Sequence, residues 1–529
     1  MKSYQKHLES VMAPGGNKPP ATRKPVFRSS AIFPVLLGPE IETRISFLGY
    51  WLIKRNIPEV AILCTLREKS GRILHRWTES VDVARAFSIE VRDELARIGR
   101  SEPSFEGSIE LEVFATRDLV FPYPAFVVCY HGEAFSTAVH TVGRIYNDAD
   151  DWKENDEAQV AESGFDVHGG PGMDPFFAFT NGPFASPAPV LSCQFIRADG
   201  DAFEAPIRLP DLEPYETVWL RLKDHIDLEG ALGEGPGTVK IKHEFRGFYP
   251  RFVAGNFQTS PTAISVTHTY YDCSSAGRPV DYWEVPHDGY HDCAMLVPVY
   301  ANDGMFTELV VYPVISPSVF MMSVELRAND GALLASFPDL LRVDTAENPL
   351  QHIRLDTLCA AAGVPRERVA GAYIVARWVE GSRVPTRLKL GLNIGFEGRE
   401  VRLPCNICFA PQLGNPAVER KAGTFRWAPI LHIGRSEVVL TLASPAQVPT
   451  AAAKVELSFF RETDGEVIER HITLPPYGQV RIAPSEDAEL REFLQGRTGW
   501  ISARSDNPWL GGWYFDFHES GSVAADHFF

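Results

Sequence analysis

The 529-residue sequence lacks any run of about 20 apolar residues, which a membrane-spanning helix requires. It also lacks the apolar segment of about 7–15 residues that defines a secretory signal. Its N-terminus reads MKSYQKHLESVMAPGGNKPPATRKP and has a few basic residues but no apolar core. These absences predict no transmembrane segment and a cytoplasmic location.

Basic residues are outnumbered, because 51 Lys and Arg face 68 Asp and Glu, for a formal net charge of -17. Such a charge repels nucleic-acid backbones and anionic membranes, so we expect no nucleic-acid partner. Cysteine is also sparse, with 8 residues. Without an export signal, reduced structural thiols are expected in preference to disulfides.

Catalytic signatures are missing as well. The sequence has no GxSxG elbow, no Gly-rich phosphate loop ending in Gly-Lys-Ser/Thr and no HExxH helix. We therefore predict no catalytic residue and no cofactor, and an enzyme is the less favoured hypothesis.

Turn-forming residues are plentiful, with 41 Gly and 40 Pro, and the chain repeats itself four times. Each repeat begins with an alternating apolar run, an Arg, a tight turn and a second run. The four hairpins are Glu59–Trp77, Pro189–Leu209, Val319–Phe337 and Lys454–Leu474. Each turn contains a glycine that is predicted to supply a positive φ, namely Gly71, Gly200, Gly331 and Gly465.

After each hairpin come a third strand, a short helical segment, a strand introduced by glycine and a final pair of strands. Period-2 alternation buries one face of a strand and exposes the other, as in two packed sheets. The predicted fold is all-β and mainly antiparallel, with four tandem β-sandwich-like units, each with one short helical crossover.

The predicted domain boundaries follow the repeats. A disordered tail (1–29) precedes the first unit (30–146), and an acidic, then Gly/Pro/Phe-rich linker (147–188) follows it. The other units span 189–284, 285–412 and 413–529.

Histidines and tryptophans near strand ends are the candidate ligand-binding residues. His140, His268 and His527 recur on the final strand of three units, as either a repeated site or a structural feature of the fold. Trp509 and Trp513 lie beside two glycines and could stack on a ligand, although such residues more often fill cores.

The densest group of metal-ligand side chains lies between His268 and Cys293. His268, Asp272, His287 and His291 offer the imidazole and carboxylate groups that a divalent metal takes. The alternative is a polar link between units, because the spacing matches no defined zinc motif.

A strand introduced by glycine, a proline-containing turn and a strand ending in His-Thr occur at His140–Thr141 and His268–Thr269. This order resembles part of the small sandwich of the sensory-rhodopsin transducer family. The resemblance covers part of each unit, carries over no residue and implies an oligomeric signalling or binding module.

Fourfold repetition without fourfold catalytic residues favours a non-enzymatic binding or scaffold protein for a carbohydrate or protein partner. One alternative is a metal-assisted enzyme that acts on a small or sugar-like substrate through the segment from His268 to Cys293. Another is a structural subunit that self-assembles, which would make the protein a homo-oligomer.

Overall fold

The computed structural model describes residues 25–120, 123–140, 143, 153–156, 162–233, 235–271, 282–283, 291–313, 319–347, 349–382, 384–385, 388–414, 421–431 and 435–529. In this part of the chain strands predominate and pair antiparallel. The predicted all-β, mainly antiparallel fold is confirmed.

The strands form four pairs of sheets, which we call units one to four. Unit one consists of β1 (Arg28–Leu37), β2 (Glu42–Leu48), β3 (Val60–Glu68), β4 (Ile73–Val81), β5 (Ala86–Glu90), β6 (Phe105–Phe114), β7 (Phe126–His131) and β8 (Ser136–His140), with helices α1 (Tyr50–Arg55) and α2 (Val91–Arg97). Unit two consists of β9 (Glu162–Ser163), β10 (Met173–Thr180), β11 (Val190–Ile196), β12 (Ala202–Arg208), β13 (Thr217–Arg221), β14 (Thr238–His243), β15 (Val253–Thr259) and β16 (Thr262–His268), with helix α3 (Leu228–Leu232).

Units three and four follow the short strands β17 (Tyr270–Tyr271) and β18 (Tyr282–Trp283). Unit three consists of β19 (His291–Pro298), β20 (Met305–Val311), β21 (Val319–Arg327), β22 (Leu333–Asp344), β23 (Gln351–Arg354), β24 (Gly371–Trp378), β26 (Leu390–Phe396) and β27 (Cys405–Phe409), with helix α4 (Leu355–Ala361), and the chain adds β25 (Val384–Pro385) and β28 (Gln412–Gly414). Unit four consists of β29 (Thr424–Ile430), β30 (Arg435–Leu442), β31 (Ala453–Arg461), β32 (Val467–Leu474), β33 (Gln479–Ile482), β34 (Gly499–Ser505), β35 (Leu510–Phe517) and β36 (Val523–His527), with helix α5 (Ala488–Leu494).

One strand order recurs in every unit. Numbered within a unit, one sheet has the order first, sixth, third, fourth, and the other has the order fifth, second, seventh, eighth. A short helix follows the fifth strand each time, where the sequence predicted a helical crossover. The third and fourth strands form the four predicted hairpins.

Three of the four turn glycines have the predicted backbone conformation, with φ of 84° at Gly71, 88° at Gly200 and 86° at Gly331. The prediction for Gly465 is wrong, because its φ lies outside the left-handed region. The carboxylate of Asp464 closes this turn instead, accepting hydrogen bonds from Glu466 N at 3.0 Å and Arg461 Nε at 2.8 Å.

The stretch 147–188 differs from the linker that we predicted. Its residues Met173–Thr180 form β10, the second strand of unit two, which pairs with both β13 and β15. Nearly all of β10 is buried, so its sequence shows a continuous apolar run without the alternation used to recognise the other strands.

The four units close into a ring. The eighth strands contact one another in turn, β8 with β16, β16 with β27, β27 with β36 and β36 with β8. At the rim, Lys69 O accepts a hydrogen bond from Thr217 N at 2.8 Å, and Asn329 O accepts one from Gln479 N at 3.0 Å. Unit four closes on unit one, because Arg85 Nη1 donates to Glu462 O at 2.8 Å.

The hydrophobic cores do not all end at unit boundaries. One continuous buried cluster joins unit one to unit four, with Tyr50 stacked on Trp427 at 4.7 Å between ring centroids. The same cluster takes in Phe176, Phe257 and Ile264 of unit two, whereas most buried residues of β11 and β14 belong to a second cluster. Among the described residues, no two cysteines form a disulfide. No helix in this part of the chain is long and apolar enough to cross a membrane.

Candidate functional site

The structure brings the three predicted strand-end histidines together at the centre of the ring. The ring centroids of His140 and His268 are 5.0 Å apart, and those of His140 and His527 are 4.6 Å apart. The three residues come from units one, two and four, so the closure of the ring causes their proximity.

Each of these histidines has an oxygen partner at Nδ1. His140 Nδ1 lies 2.5 Å from Asp526 Oδ2, His268 Nδ1 lies 3.1 Å from Thr269 O, and His527 Nδ1 lies 2.9 Å from Phe528 O. A carbonyl only accepts hydrogen bonds, so Nδ1 carries the proton in His268 and His527. We call His140, His268, His527 and Asp526 the ring-centre cluster.

Burial favours the neutral form of two imidazoles of the ring-centre cluster, those of His268 and His527. Burial, reinforced by Arg251, keeps the pKa of His268 well below its usual range. Its enclosed position lowers the pKa of His527 to about 4, although a third of the side chain is exposed. Burial raises the pKa of Asp526, but His140 and His527 outweigh it and the net shift is downward.

The two candidate tryptophans are buried. Trp509 is 6% exposed and belongs to the core shared by units one and four. Trp513 is 2% exposed and packs edge-on against Phe409. Neither tryptophan offers an aromatic face to solvent, so the structure does not support them as ligand contacts. Both are core residues.

The four predicted metal ligands are only partly described. Asp272 and His287 lie outside the described residues, and His291 begins β19, where it pairs with Gly414. Arg251 Nη2 donates a hydrogen bond to His268 Nε2 at 2.9 Å. A cation bound at His268 would therefore face a guanidinium group, which disfavours it.

A second polar cluster, which we did not predict, lies between units two and three. We call Asp166, Glu308 and His352 the seam cluster; their ligand atoms all lie within 4.8 Å of one another. Asp166 precedes β10, and Glu308 and His352 lie on the paired strands β20 and β23. His352 Nδ1 is 2.9 Å from Glu308 Oε2, and His352 Nε2 is 3.7 Å from Asp166 Oδ1.

Neutral side chains fix both carboxylates of the seam cluster. Tyr312 donates from its hydroxyl to Asp166 Oδ1 at 2.8 Å. Asn393 Nδ2 donates to Asp166 Oδ2 at 2.6 Å and to Glu308 Oε2 at 3.0 Å. Asn406 in turn donates to Asn393 Oδ1 at 2.6 Å. Such a network restricts the orientation of each carboxylate.

The two carboxylates control the charge of His352. Burial lowers the pKa of this imidazole, but the charge of Asp166 and the hydrogen bond to Glu308 outweigh it and raise the pKa to about 9. Burial raises the pKa of Glu308, and the hydrogen bond to His352 reverses the shift. His352 Nε2 is nevertheless buried without a hydrogen-bond partner.

A small cavity adjoins the seam cluster. It has a volume of about 10 Å³, and its lining includes Asp166, His168, Asn256 and Asn406. This volume admits one water molecule or one ion and excludes an organic substrate. The one signal in the sequence is Glu308, the single charged residue of the strand MFTELVV.

A comparison of the chain with protein-family models found no match, and a comparison with curated proteins found none. The fold and the site geometry therefore carry the functional inference. They define an all-β protein whose repeated units close into a ring around buried polar clusters.

Proposed function

We propose that this protein is a non-enzymatic scaffold that binds protein partners through a surface repeated around its ring. The observation that carries this proposal is an exposed apolar residue at the start of the fourth strand in three units. Ile73 is 44% exposed, Leu333 52% and Val467 39%, and each lies two residues after the turn glycine. Single exposed apolar residues are ordinary, but recurrence at one position is not expected from chance scatter.

The strands that carry these residues support the proposal. β4, β12, β22 and β32 each lie at the edge of their sheet and alternate between exposed and partly exposed positions. An edge strand presents backbone groups to which an extended segment of a partner can add. Pro206 and Pro338 lie on two of these edges, where proline restricts unselective pairing.

A protein partner is favoured over a carbohydrate. Sugar recognition on a sandwich relies on an exposed aromatic face, and Trp509 and Trp513 are buried. A ring of four related surfaces also raises the effective concentration of any partner that has several binding segments.

The test compares two triple variants of the full chain. The edge variant carries Ile73→Ser, Leu333→Ser and Val467→Ser. The control variant carries Phe27→Ser, Phe114→Ser and Tyr123→Ser, three exposed apolar residues away from the fourth strands. Both sets are surface changes, so both variants should keep the wild-type melting temperature within a few degrees.

Partners co-purified from cell extract are quantified by mass spectrometry for wild type and both variants. We expect the edge variant to lose at least ten-fold of the specific partner signal and the control variant to retain it. Equal retention by the two variants would contradict the proposed binding surface.

A further inference from the structure

We propose that Asp166 and His352 bind a divalent transition-metal ion of the zinc type at the seam between units two and three. Asp166 belongs to the second unit and His352 to the third, so the bound ion would join two sandwiches. The inference is independent of the proposed edge-strand surface.

The distance between the two ligand atoms is the first argument. His352 Nε2 and Asp166 Oδ1 are 3.7 Å apart, which is too long for a hydrogen bond. Two atoms bound to one zinc ion at about 2.0–2.2 Å each span a similar distance. His352 Nε2 is also buried without a hydrogen-bond partner, a costly arrangement that a bound ion would relieve.

The surroundings of the ligands are the second argument. Glu308 accepts the hydrogen bond of His352 Nδ1, which leaves Nε2 to face Asp166. A carboxylate behind a histidine in this way is the usual outer partner of a metal-binding imidazole. Asn393 and Tyr312 hold the oxygens of Asp166 in the same manner.

The remaining positions and the class of metal follow from the surroundings of the two ligands. Asp166 lines a cavity that admits one water molecule, and water would occupy the remaining positions around the ion. A mixed set of imidazole and carboxylate ligands suits zinc and its neighbours better than calcium or magnesium, which prefer oxygen alone.

The ring-centre cluster is the competing location, since His140, Asp526 and His527 also lie within reach of one another. It is disfavoured because Arg251 and Lys389 add positive charge around its histidines. His140 Nδ1 also already binds Asp526 Oδ2 at 2.5 Å. His527→Gln is therefore a matched control for variants of the seam cluster.

The experiment titrates Zn²⁺ into the full chain after dialysis against a chelator, with calorimetry for affinity and plasma mass spectrometry for metal content. We expect one zinc per chain in wild type and in His527→Gln. His352→Gln and Asp166→Asn should weaken binding at least 100-fold, and Glu308→Gln about 10-fold, as loss of an outer partner does. Zinc should also raise the melting temperature of wild type but not of His352→Gln.

X-ray absorption spectroscopy identifies the ligand atoms around zinc in the wild-type protein, so the proposal can be tested even if a variant fails to fold. A first shell of nitrogen and oxygen that includes imidazole is expected. Absence of zinc binding to folded wild type, a sulfur-rich first shell, or stoichiometric zinc in folded His352→Gln would each overturn the proposal.

Discussion

A buried charged pair of unit one lies where that unit meets unit two. Arg67 Nη2 donates to Glu110 Oε2 at 2.7 Å, and both side chains are almost fully buried. The Arg67 guanidinium also lies 4.2 Å from the ring centroid of Tyr215 in the next unit. A buried pair of this kind adds little net stability, but it strongly penalises any arrangement that separates its members.

His243 on β14 should make the protein sensitive to acid. Burial alone lowers the pKa of this imidazole from 6.5 to about 4, and both ring nitrogens lack a hydrogen-bond partner. Between these values the unfolded chain binds more protons than the folded one, so stability falls as the pH drops. His243→Phe should remove roughly 1 kcal/mol of destabilisation per pH unit over this range.

Urea unfolding at pH values from 7.5 to 4 measures this difference. The exposed His471, substituted in the same way, is the control and should leave the pH dependence of wild type unchanged. An unaltered pH dependence in His243→Phe would show that His243 is not the residue that responds to acid.

At the scale of elements, the turn glycines differ in what a methyl group would meet. A Cβ at Gly331 would lie 2.0 Å from Pro476 O, whereas the nearest atom at Gly200 is Glu347 O at 3.6 Å. At Gly465 the contact is the side chain of Val83, which is exposed and can move. These differences predict that replacing each glycine with alanine lowers the free energy of unfolding by a different amount.

We expect Gly331→Ala to cost about 3 kcal/mol or more, because backbone overlap adds to left-handed strain. Gly200→Ala should cost about 1–2 kcal/mol from strain alone. Gly465→Ala should change stability by less than about 0.5 kcal/mol, because its φ is not left-handed. Chemical denaturation of the three single variants measures the order, and equal costs would contradict it.

The sequence was most informative where strands are half buried. All four hairpins and the strand that follows each were predicted because their residues alternate between faces. β10 is buried on both faces and shows no alternation, so the sequence predicts a linker there. The missing alternation hides this strand, although the equally buried β7 and β8 are predicted.

The histidine of unit four does not occupy the same position as that of unit one. The two units can be aligned at the last residue of the fifth strand, which is Glu90 in unit one and Ile482 in unit four. The strand pairing from this residue, through the second and seventh strands to the eighth, places Phe528 of unit four at the position of His140. His527 therefore lies one residue before the equivalent position. A shift of one residue reverses the face of a strand, and no local pattern reveals it.

The seam cluster could not be found from the sequence for a different reason. Asp166, Glu308 and His352 are far apart in the chain and belong to two units. The packing of units two and three brings them together, and that packing depends on the ring as a whole. The ring-centre histidines recur in the sequence and can be predicted from it, but their contact also depends on closure of the ring.

At the scale of the whole molecule, ring closure joins units that are most distant in sequence. Trp500 of unit four is fully buried and donates from Nε1 to Ser46 Oγ of unit one at 3.0 Å. Units one and four share one core, so damage to either should destabilise both. A linear array of independent sandwiches would confine the damage to one unit.

Trp500→Ala tests this coupling. We expect a loss of about 3–5 kcal/mol from the cavity and from the lost packing. Hydrogen exchange followed by mass spectrometry should show faster exchange in β34, where the residue lies, and equally in β2 of unit one. Amides of β11 and β14 in unit two should be less affected, because most buried side chains of these two strands belong to a separate cluster.

Phe195→Ala provides the opposite case, since Phe195 is fully buried within the core of unit two. Its loss of protection should stay within β11, β12 and β14. If Trp500→Ala accelerated exchange in unit four alone, units one and four would be separate folding units and the ring a loose association. If both variants accelerated exchange throughout, the ring would unfold as a single cooperative body and unit two would not be a separate folding unit.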